Sequence, residues 1–134
     1  MADLRRATIY TDNIVSNLLS IKCLRGLQPI IFPVKADAYG HGIVPVVQAA
    51  DPLVEGYWVC DLEEAISVRQ HTCKRVILNQ YLIDPKEVHE WAAFDLDIAI
   101  THSEQLKMLL EHPPVQPLNV WLKINTGMNR MGIE

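Results

Sequence analysis

Five short apolar runs recur along the chain, each set against a segment with the marks of a helix, and few folds accommodate that alternation. The first run is Pro29-Ile30-Ile31-Phe32-Pro33-Val34, preceded by a stretch in which Ile14, Val15, Leu18, Leu19 and Leu24 recur at helical spacing between Asp12, a candidate cap, and Gly26. Tyr57-Trp58-Val59-Cys60 is the second, followed by Asp61 with Glu64 three residues on, the spacing of a capping box. Arg75-Val76-Ile77-Leu78 is the third, and Asp84-Pro85-Lys86-Glu87 then opens a helix with a cap and a proline in its first turn. Leu96-Asp97-Ile98-Ala99-Ile100 is the fourth, with Thr101 or Ser103 expected to cap a helix that runs through Leu106, Leu109 and Leu110 to His112-Pro113-Pro114. Asn119-Val120-Trp121-Leu122-Lys123-Ile124 closes the series.

Runs that are apolar at nearly every position suit strands covered on both faces, as in a parallel sheet. Spaced roughly 18 to 27 residues apart, with helices between them, they imply right-handed βαβ crossovers. Either an open doubly wound sheet or a β/α barrel satisfies that pattern. The 134 residues carry no flexible linker or low-complexity stretch, so a single unit is expected. The chain ends at Met131-Gly132-Ile133-Glu134, just after a strand and before the helix that the pattern calls for. A parallel strand with an open flank exposes backbone groups that folds normally cover, so the pattern reads as part of something larger.

Composition removes several classes of function. A net charge of −4 gives no basic patch to displace counterions from phosphates, which argues against a nucleic-acid partner. No run approaches the roughly 18 apolar residues of a membrane span, and Met1-Ala2-Asp3-Leu4-Arg5-Arg6 lacks the apolar stretch of a secretory signal. Cys23, Cys60 and Cys73 are odd in number and form no CxxC pair, so a disulfide scaffold is not expected and a reducing cytoplasm is. His71, His89, His102 and His112 share no metal-ligand spacing, and no metal site is expected.

Two segments carry chemistry. Val34-Lys35-Ala36-Asp37-Ala38-Tyr39-Gly40-His41-Gly42 follows the first strand directly, and in α/β folds ligands bind at the carboxyl ends of strands. A lysine partly desolvated there can lose its proton and form a Schiff base with a carbonyl, although a lone lysine at a strand end more often points into water. Tyr39 can offer a hydroxyl to a phosphate oxygen, and His41, between two glycines, suits a turn residue bonded to backbone more than a proton carrier. The second segment, Trp121-Leu122-Lys123-Ile124-Asn125-Thr126-Gly127-Met128-Asn129-Arg130-Met131-Gly132, follows the fifth strand. If both strand ends share one face, Lys35, Lys123 and Arg130 gather around one cleft and suit an anionic ligand. Arg130 can grip a carboxylate with two parallel bonds. Met128 and Met131 suit ordinary packing, and Glu63 and Glu64 suit a solvated helix face plus a cap.

In these two segments the chain resembles the alanine racemases. The lysine motif of residues 34–42 is similar to that family's pyridoxal-phosphate signature, and Lys123-x-x-Thr126-Gly127-Met128-x-Arg130-x-Gly132 matches a second family motif. Likeness continues through Asp61-Leu62-Glu63-Glu64-Ala65, Leu96-Asp97 and His102-Ser103-Glu104-Gln105-Leu106, covering nearly the whole chain. The resemblance implies the N-terminal portion of a (β/α)8 TIM barrel, about half of it, with residues 1–134 lying in the barrel domain and a C-terminal β-domain outside them. It implies pyridoxal 5'-phosphate as cofactor, bound through Lys35 and contacted by Tyr39 at its phosphate and by Arg130 at its phenolic oxygen. Lys35 would be the base on one face of the alanine α-carbon, and Arg130 would also bind the substrate carboxylate. Lys123 matches a lysine that is carbamylated in many members.

Racemisation needs a second acid/base on the opposite face. In the family that group is a tyrosine from the partner subunit of a homodimer, and Tyr10, Tyr57 and Tyr81 do not match it. The implied role is interconversion of L- and D-alanine for cell-wall peptidoglycan, with the 134 residues alone inactive. A racemase acting on serine or on several amino acids, or a truncated non-catalytic product, are the alternatives. Related barrel families, the amino-acid decarboxylases and the small pyridoxal-phosphate homeostasis proteins, lack the Tyr39-Gly40-His41-Gly42 continuation. The chain departs from the family pattern at Asn125, where aspartate is more usual, and at Asn79-Gln80-Tyr81, which replaces a more apolar or acidic stretch.

Overall fold

A computed structural model describes residues 6–81 and 84–134; residues 1–5, part of the stretch read above for a signal, lie outside it. Helix α1 (Thr11–Arg25) precedes strand β1 (Ile31–Pro33). A short helical segment α2 (Lys35–Gly40) and helix α3 (Ile43–Ala50) lead to β2 (Gly56–Val59). Then follow α4 (Leu62–Arg69), β3 (Arg75–Leu78), α5 (Val88–Ala93), β4 (Asp97–Ile100), α6 (Ser103–Glu111) and β5 (Val120–Leu122). Single 3₁₀ turns at Asp51–Leu53 and Pro85–Glu87 lead into β2 and α5.

All five strands are parallel, and their spatial order is their chain order, β1-β2-β3-β4-β5. A doubly wound sheet reverses strand order at a switch point; an order without reversal is that of a β/α barrel. Of the two architectures open to the sequence, the barrel is therefore the one adopted. Pro33 is tolerated because β1 is an edge of this sheet, where a missing N–H need not break a ladder.

Register separates the two faces. Phe32, Tyr57, Val59, Val76, Leu78, Ile98 and Ile100 point toward the helices and form the core with Val46, Val47, Val68, Val88 and Trp91. The alternate positions, Pro33, Trp58, Arg75, Ile77, Asp97, Ala99 and Trp121, line the other face. At the N-terminal end of that face Asp97, almost wholly buried, accepts hydrogen bonds from Arg75 Nη1, Trp121 Nε1 (2.8 Å) and Asn119 Nδ2 (3.1 Å). A buried carboxylate is tolerable only when paired in this way. The pairing also ties β4 to β5, whose own residues Val120 and Leu122 stay exposed.

Several expected caps change. Asp61 does cap α4, its Oδ1 accepting from Glu64 N at 2.9 Å, and Asp84 caps the turn before α5 by accepting from Lys86 N. Asp12 instead sits inside the first turn of α1, which starts at Thr11 without a side-chain cap. Neither Thr101 nor Ser103 caps α6: Thr101, buried, directly follows β4, and its N–H and hydroxyl both bond Gln105 Oε1. Among the described residues no helix is long and apolar enough to cross a membrane.

Candidate active site

The chain leaves β1 at Val34, whose N–H still donates to Trp58 O (3.0 Å). It then enters an unusual turn: Ala36, Asp37, Ala38 and Tyr39 all have φ between 52 and 55° and ψ between 37 and 52°, one turn of left-handed helix. Each non-glycine residue in that conformation costs about 1–2 kcal/mol, so four in succession persist only where surrounding structure holds them. Ala38, buried, donates its N–H to Val34 O at 2.8 Å, and Gly42 N closes on Asp37 O at 2.9 Å. Asp37 is the hub. Its N–H donates to Glu64 Oε1 on α4 (3.1 Å), and its Oδ1 accepts from Ile43 N (2.8 Å), which caps the start of α3.

This turn presents Lys35 half-buried at the end of β1, with its Nζ 5.9 Å from the centre of the Tyr39 ring. The Tyr39 ring is exposed and borders an apolar groove of about 410 Å³ between α1 and β1, lined by Leu18, Phe32 and Pro33. The His41 ring is paired through Nδ1 with Ala38 O (2.9 Å), the backbone-bonded turn residue the sequence suggested.

The second segment sits at the end of β5. Lys123 N donates to Ile100 O (2.9 Å), and its side chain brings Nζ to 5.8 Å from the centre of the Trp58 ring on β2. Across a flat sheet, β2 and β5 side chains would stand parallel and roughly 14 Å apart; their convergence marks this face as the concave one. Beyond Lys123 the chain makes a hoop. Asn125 N bonds Ile133 O (2.9 Å) and Ile133 N bonds Lys123 O (2.8 Å), so residues 125–132 leave and return at one point. Asn125 Oδ1 accepts from Gly127 N and Asn129 N, and its amide donates to Asn129 Oδ1. Gly132 closes the hoop at φ +123°, where a Cβ would lie 2.6 Å from Asn125 N. Arg130 rides on this hoop and is exposed.

Lys35, Tyr39, Lys123 and Arg130 therefore all lie at the carboxyl ends of strands in a single parallel sheet, with Lys123 reaching back over Trp58 toward the β1 side. Reasoning from sequence missed Glu64, which does not complete its own capping box but holds the Asp37 amide instead. It also missed Asn79, at the end of β3. This residue is 8% exposed, and its Oδ1 is buried without a hydrogen-bond partner among the described residues. No local pattern announces either role, because each depends on which strand lies next door.

Comparison with known proteins accords with this geometry. The model of the alanine racemase N-terminal domain matches residues 9–134. An alanine racemase of Legionella pneumophila (strain Corby) is 34% identical over 130 residues, 96% of this chain and 36% of its own. One from Xanthomonas oryzae pv. oryzae is 38% identical over 130 residues, again 96% of this chain and 35% of its own. The crystal structure of the biosynthetic alanine racemase of Pseudomonas aeruginosa superposes with a TM-score of 0.82 at 32% identity, over 91% of this chain and 35% of that one. The chain thus spans about a third of the length of the relatives it matches. By the match over nearly all its residues, the chain belongs to the alanine racemase family, in the N-terminal domain.

Proposed function

We propose that the chain is the N-terminal part, residues 1–134, of the barrel domain of a cytoplasmic, homodimeric alanine racemase that holds pyridoxal 5'-phosphate on Lys35 and supplies D-alanine for peptidoglycan. The observation that carries the reading is the strained left-handed turn after β1. Strain of this size is retained where function needs the geometry, and here it fixes Lys35 and Tyr39 together at a strand end. The donor set fits such a cofactor. It offers one amine for a covalent bond, a phenol and a guanidinium for anionic oxygens, and one buried carboxamide whose oxygen has no partner among the described residues.

Bound there, the cofactor supplies a conjugated ring that accepts the electron pair left when the α-carbon loses its proton. The chain's own residues do the rest. Lys35, with its amine free, would take and return a proton on one face of the α-carbon. Tyr39 would donate its hydroxyl to the cofactor's phosphate. Arg130 grips the carboxylate with two parallel bonds and so fixes which face Lys35 sees. Lys123 over the Trp58 ring adds positive charge that a cation–π contact stabilises; carbamylation would turn that charge negative and give Arg130 an anionic neighbour. One base alone returns the proton to the side it left, so inversion requires a second acid/base, assigned by the family resemblance to a tyrosine of the partner subunit.

Borohydride reduction of the full-length protein with its cofactor, followed by peptide mass analysis, is the test. The reduced label is expected on Lys35 and is expected to vanish in Lys35→Ala. A label on another lysine, or one retained in that variant, overturns the assignment. Turnover of alanine well above serine is expected, and the reverse preference would overturn the substrate.

A further inference from the structure

The turn after β1 depends on a neighbour for its handedness. Its four positive φ angles fall on Ala36, Asp37, Ala38 and Tyr39, all residues with a Cβ, for which a right-handed turn is the lower-energy choice. Ala38 N is met by Val34 O, His41 N by Ala38 O and Gly42 N by Asp37 O, so these amides close within the segment. The Asp37 amide instead donates outside it, to Glu64 Oε1 in the first turn of α4 (3.1 Å). Register explains the reach: Pro33 pairs with Trp58, and α4 follows β2 directly, so its first turn stands beside the turn that leaves β1. A capping box would send the Glu64 carboxylate back to the Asp61 amide, and Asp61 does its half by accepting from Glu64 N (2.9 Å). The Glu64 carboxylate faces the turn instead, and its Oε2 is buried with no partner among the described residues. Forgoing the cap bond and burying an unmet oxygen both lower the stability of α4; what they secure is the turn.

We propose that Glu64 is a positioning residue of this site: by accepting the Asp37 amide it keeps the turn left-handed and so sets how Lys35 and Tyr39 stand relative to each other. Lys35 and Tyr39 flank Asp37 on either side in sequence, so one pin at that amide governs both. Handedness decides the direction in which successive side chains leave the strand end, and a turn relaxed to negative φ would separate the amine from the phenol. Glu64 acts through the backbone of Asp37, and the acceptor oxygen rather than the charge carries the role, because an amide needs only an acceptor. The inference rests on Lys35 being the cofactor lysine, and the two can fail separately.

The test uses the full-length protein and its Glu64→Ala and Glu64→Gln variants. Pyridoxal 5'-phosphate is titrated into the apo forms, hydrogen exchange is followed in the same apo forms, and alanine turnover is measured in the loaded ones. In Glu64→Ala the Ala38 and Gly42 amides are expected to exchange faster without cofactor, and cofactor affinity is expected to fall about tenfold, the loss of one hydrogen bond to a charged acceptor. Its kcat is expected to fall by a similar factor while KM for alanine holds within about twofold, because Arg130 rides on a separate hoop. Glu64→Gln keeps the acceptor and is expected to come within about threefold of the wild type in both affinity and kcat, the residue of the deficit being the charge-assisted part of the bond. Faster exchange in Glu64→Ala with affinity and kcat unchanged overturns the proposal, since the pin is then structural only. Glu64→Gln as defective as Glu64→Ala overturns it too, as does a rise in KM alone. A borohydride label on a lysine other than Lys35 overturns the Lys35 reading and this one with it; a label on Lys35 with Glu64→Ala unaltered overturns this one alone.

Discussion

Asp97→Ala tests whether the carboxylate at the floor of the sheet is what holds β5, and with it Lys123 and Arg130, in place. The side chain is 4% exposed and accepts from three donors: Arg75 Nη1, Trp121 Nε1 and Asn119 Nδ2. Removing it leaves the indole and the amide to water, and because Trp121 and Asn119 are both exposed each loses only the net worth of a bond to a charged acceptor, about 1–1.5 kcal/mol. Arg75, half of whose side chain remains in water, re-solvates and adds little. The sum, about 2–3 kcal/mol, is a substantial share of the roughly 5–15 kcal/mol that holds a domain folded. Trp121→Phe removes only one bond to a charged acceptor from a partly exposed ring, and should cost about 1.5 kcal/mol. Urea unfolding of the full-length variants measures both. Hydrogen exchange adds location: the amides of Ile98 and Lys123, which bridge β4 and β5 through Asn119 O and Ile100 O, should lose protection first. A cost below about 1 kcal/mol for Asp97→Ala, with those amides protected as in the wild type, would refute the view of Asp97 as the anchor of β5.

Other perturbations separate steric from conformational effects. Gly127 and Gly132 both have positive φ, but a Cβ meets nothing within 4 Å at Gly127 and backbone at 2.6 Å at Gly132. Gly127→Ala should therefore show only mild strain of about 1 kcal/mol, whereas Gly132→Ala should open the hoop and abolish protection of the Ile133 amide; equal exchange in the two variants would refute the distinction. Ala36→Gly, at an exposed position with φ 52°, should stabilise by up to about 1 kcal/mol, read as a raised unfolding midpoint, and a lowered one would mean the turn is not strained. The Glu55 carboxylate is held below its ordinary value of 4.5, chiefly by the Ile30 N–H bonded to it and then by Lys22 and Arg25. A depressed folded-state pKa contributes stability that is present above the unfolded value and lost as pH falls through the folded one. Thermal unfolding of the wild type should thus fall faster than that of Glu55→Gln as pH drops below about 4.5, and parallel curves would count against the contact.

The strands were legible where burial is complete on both faces. Arg75–Leu78 has the bounds the sequence suggests, and β2 and β4 begin within one residue of theirs, because every side chain there had to be apolar or paired. β5 shrinks to Val120–Leu122 because its residues are exposed, so hydrophobicity overstates its length. The left-handed turn was illegible. Lys35-Ala36-Asp37-Ala38-Tyr39 has no glycine until Gly40, and its residues suit an ordinary helix, so nothing local signals four positive φ angles. Only neighbours distant in sequence, the Glu64 carboxylate and the packing around Ala38, impose them. Lys35 and Tyr39 could be singled out by chemistry and position, but not the strain that sets their relation, nor the burial of Asn79, which depends on the register of β3 against β2.

The concave face itself argues for where chemistry belongs. At its N-terminal end the polar groups satisfy one another: Asp97 takes hydrogen bonds from Arg75, Trp121 and Asn119 and leaves nothing to offer a ligand. At its C-terminal end the groups are of opposite character. Lys123 rests on an aromatic face without a carboxylate salt bridge among the described residues, Arg130 is exposed, and Asn79 is buried with an acceptor unmet. Folding alone does not favour the arrangement at the second end, since an unmet buried acceptor lowers stability. A ligand with polar substituents seated between the strand ends would meet that acceptor, and an anionic one would also suit the exposed Arg130. Self-satisfaction at one end and unmet groups at the other is thus a physical criterion, independent of any relative, that favours the proposed site at the carboxyl ends of β1, β3 and β5.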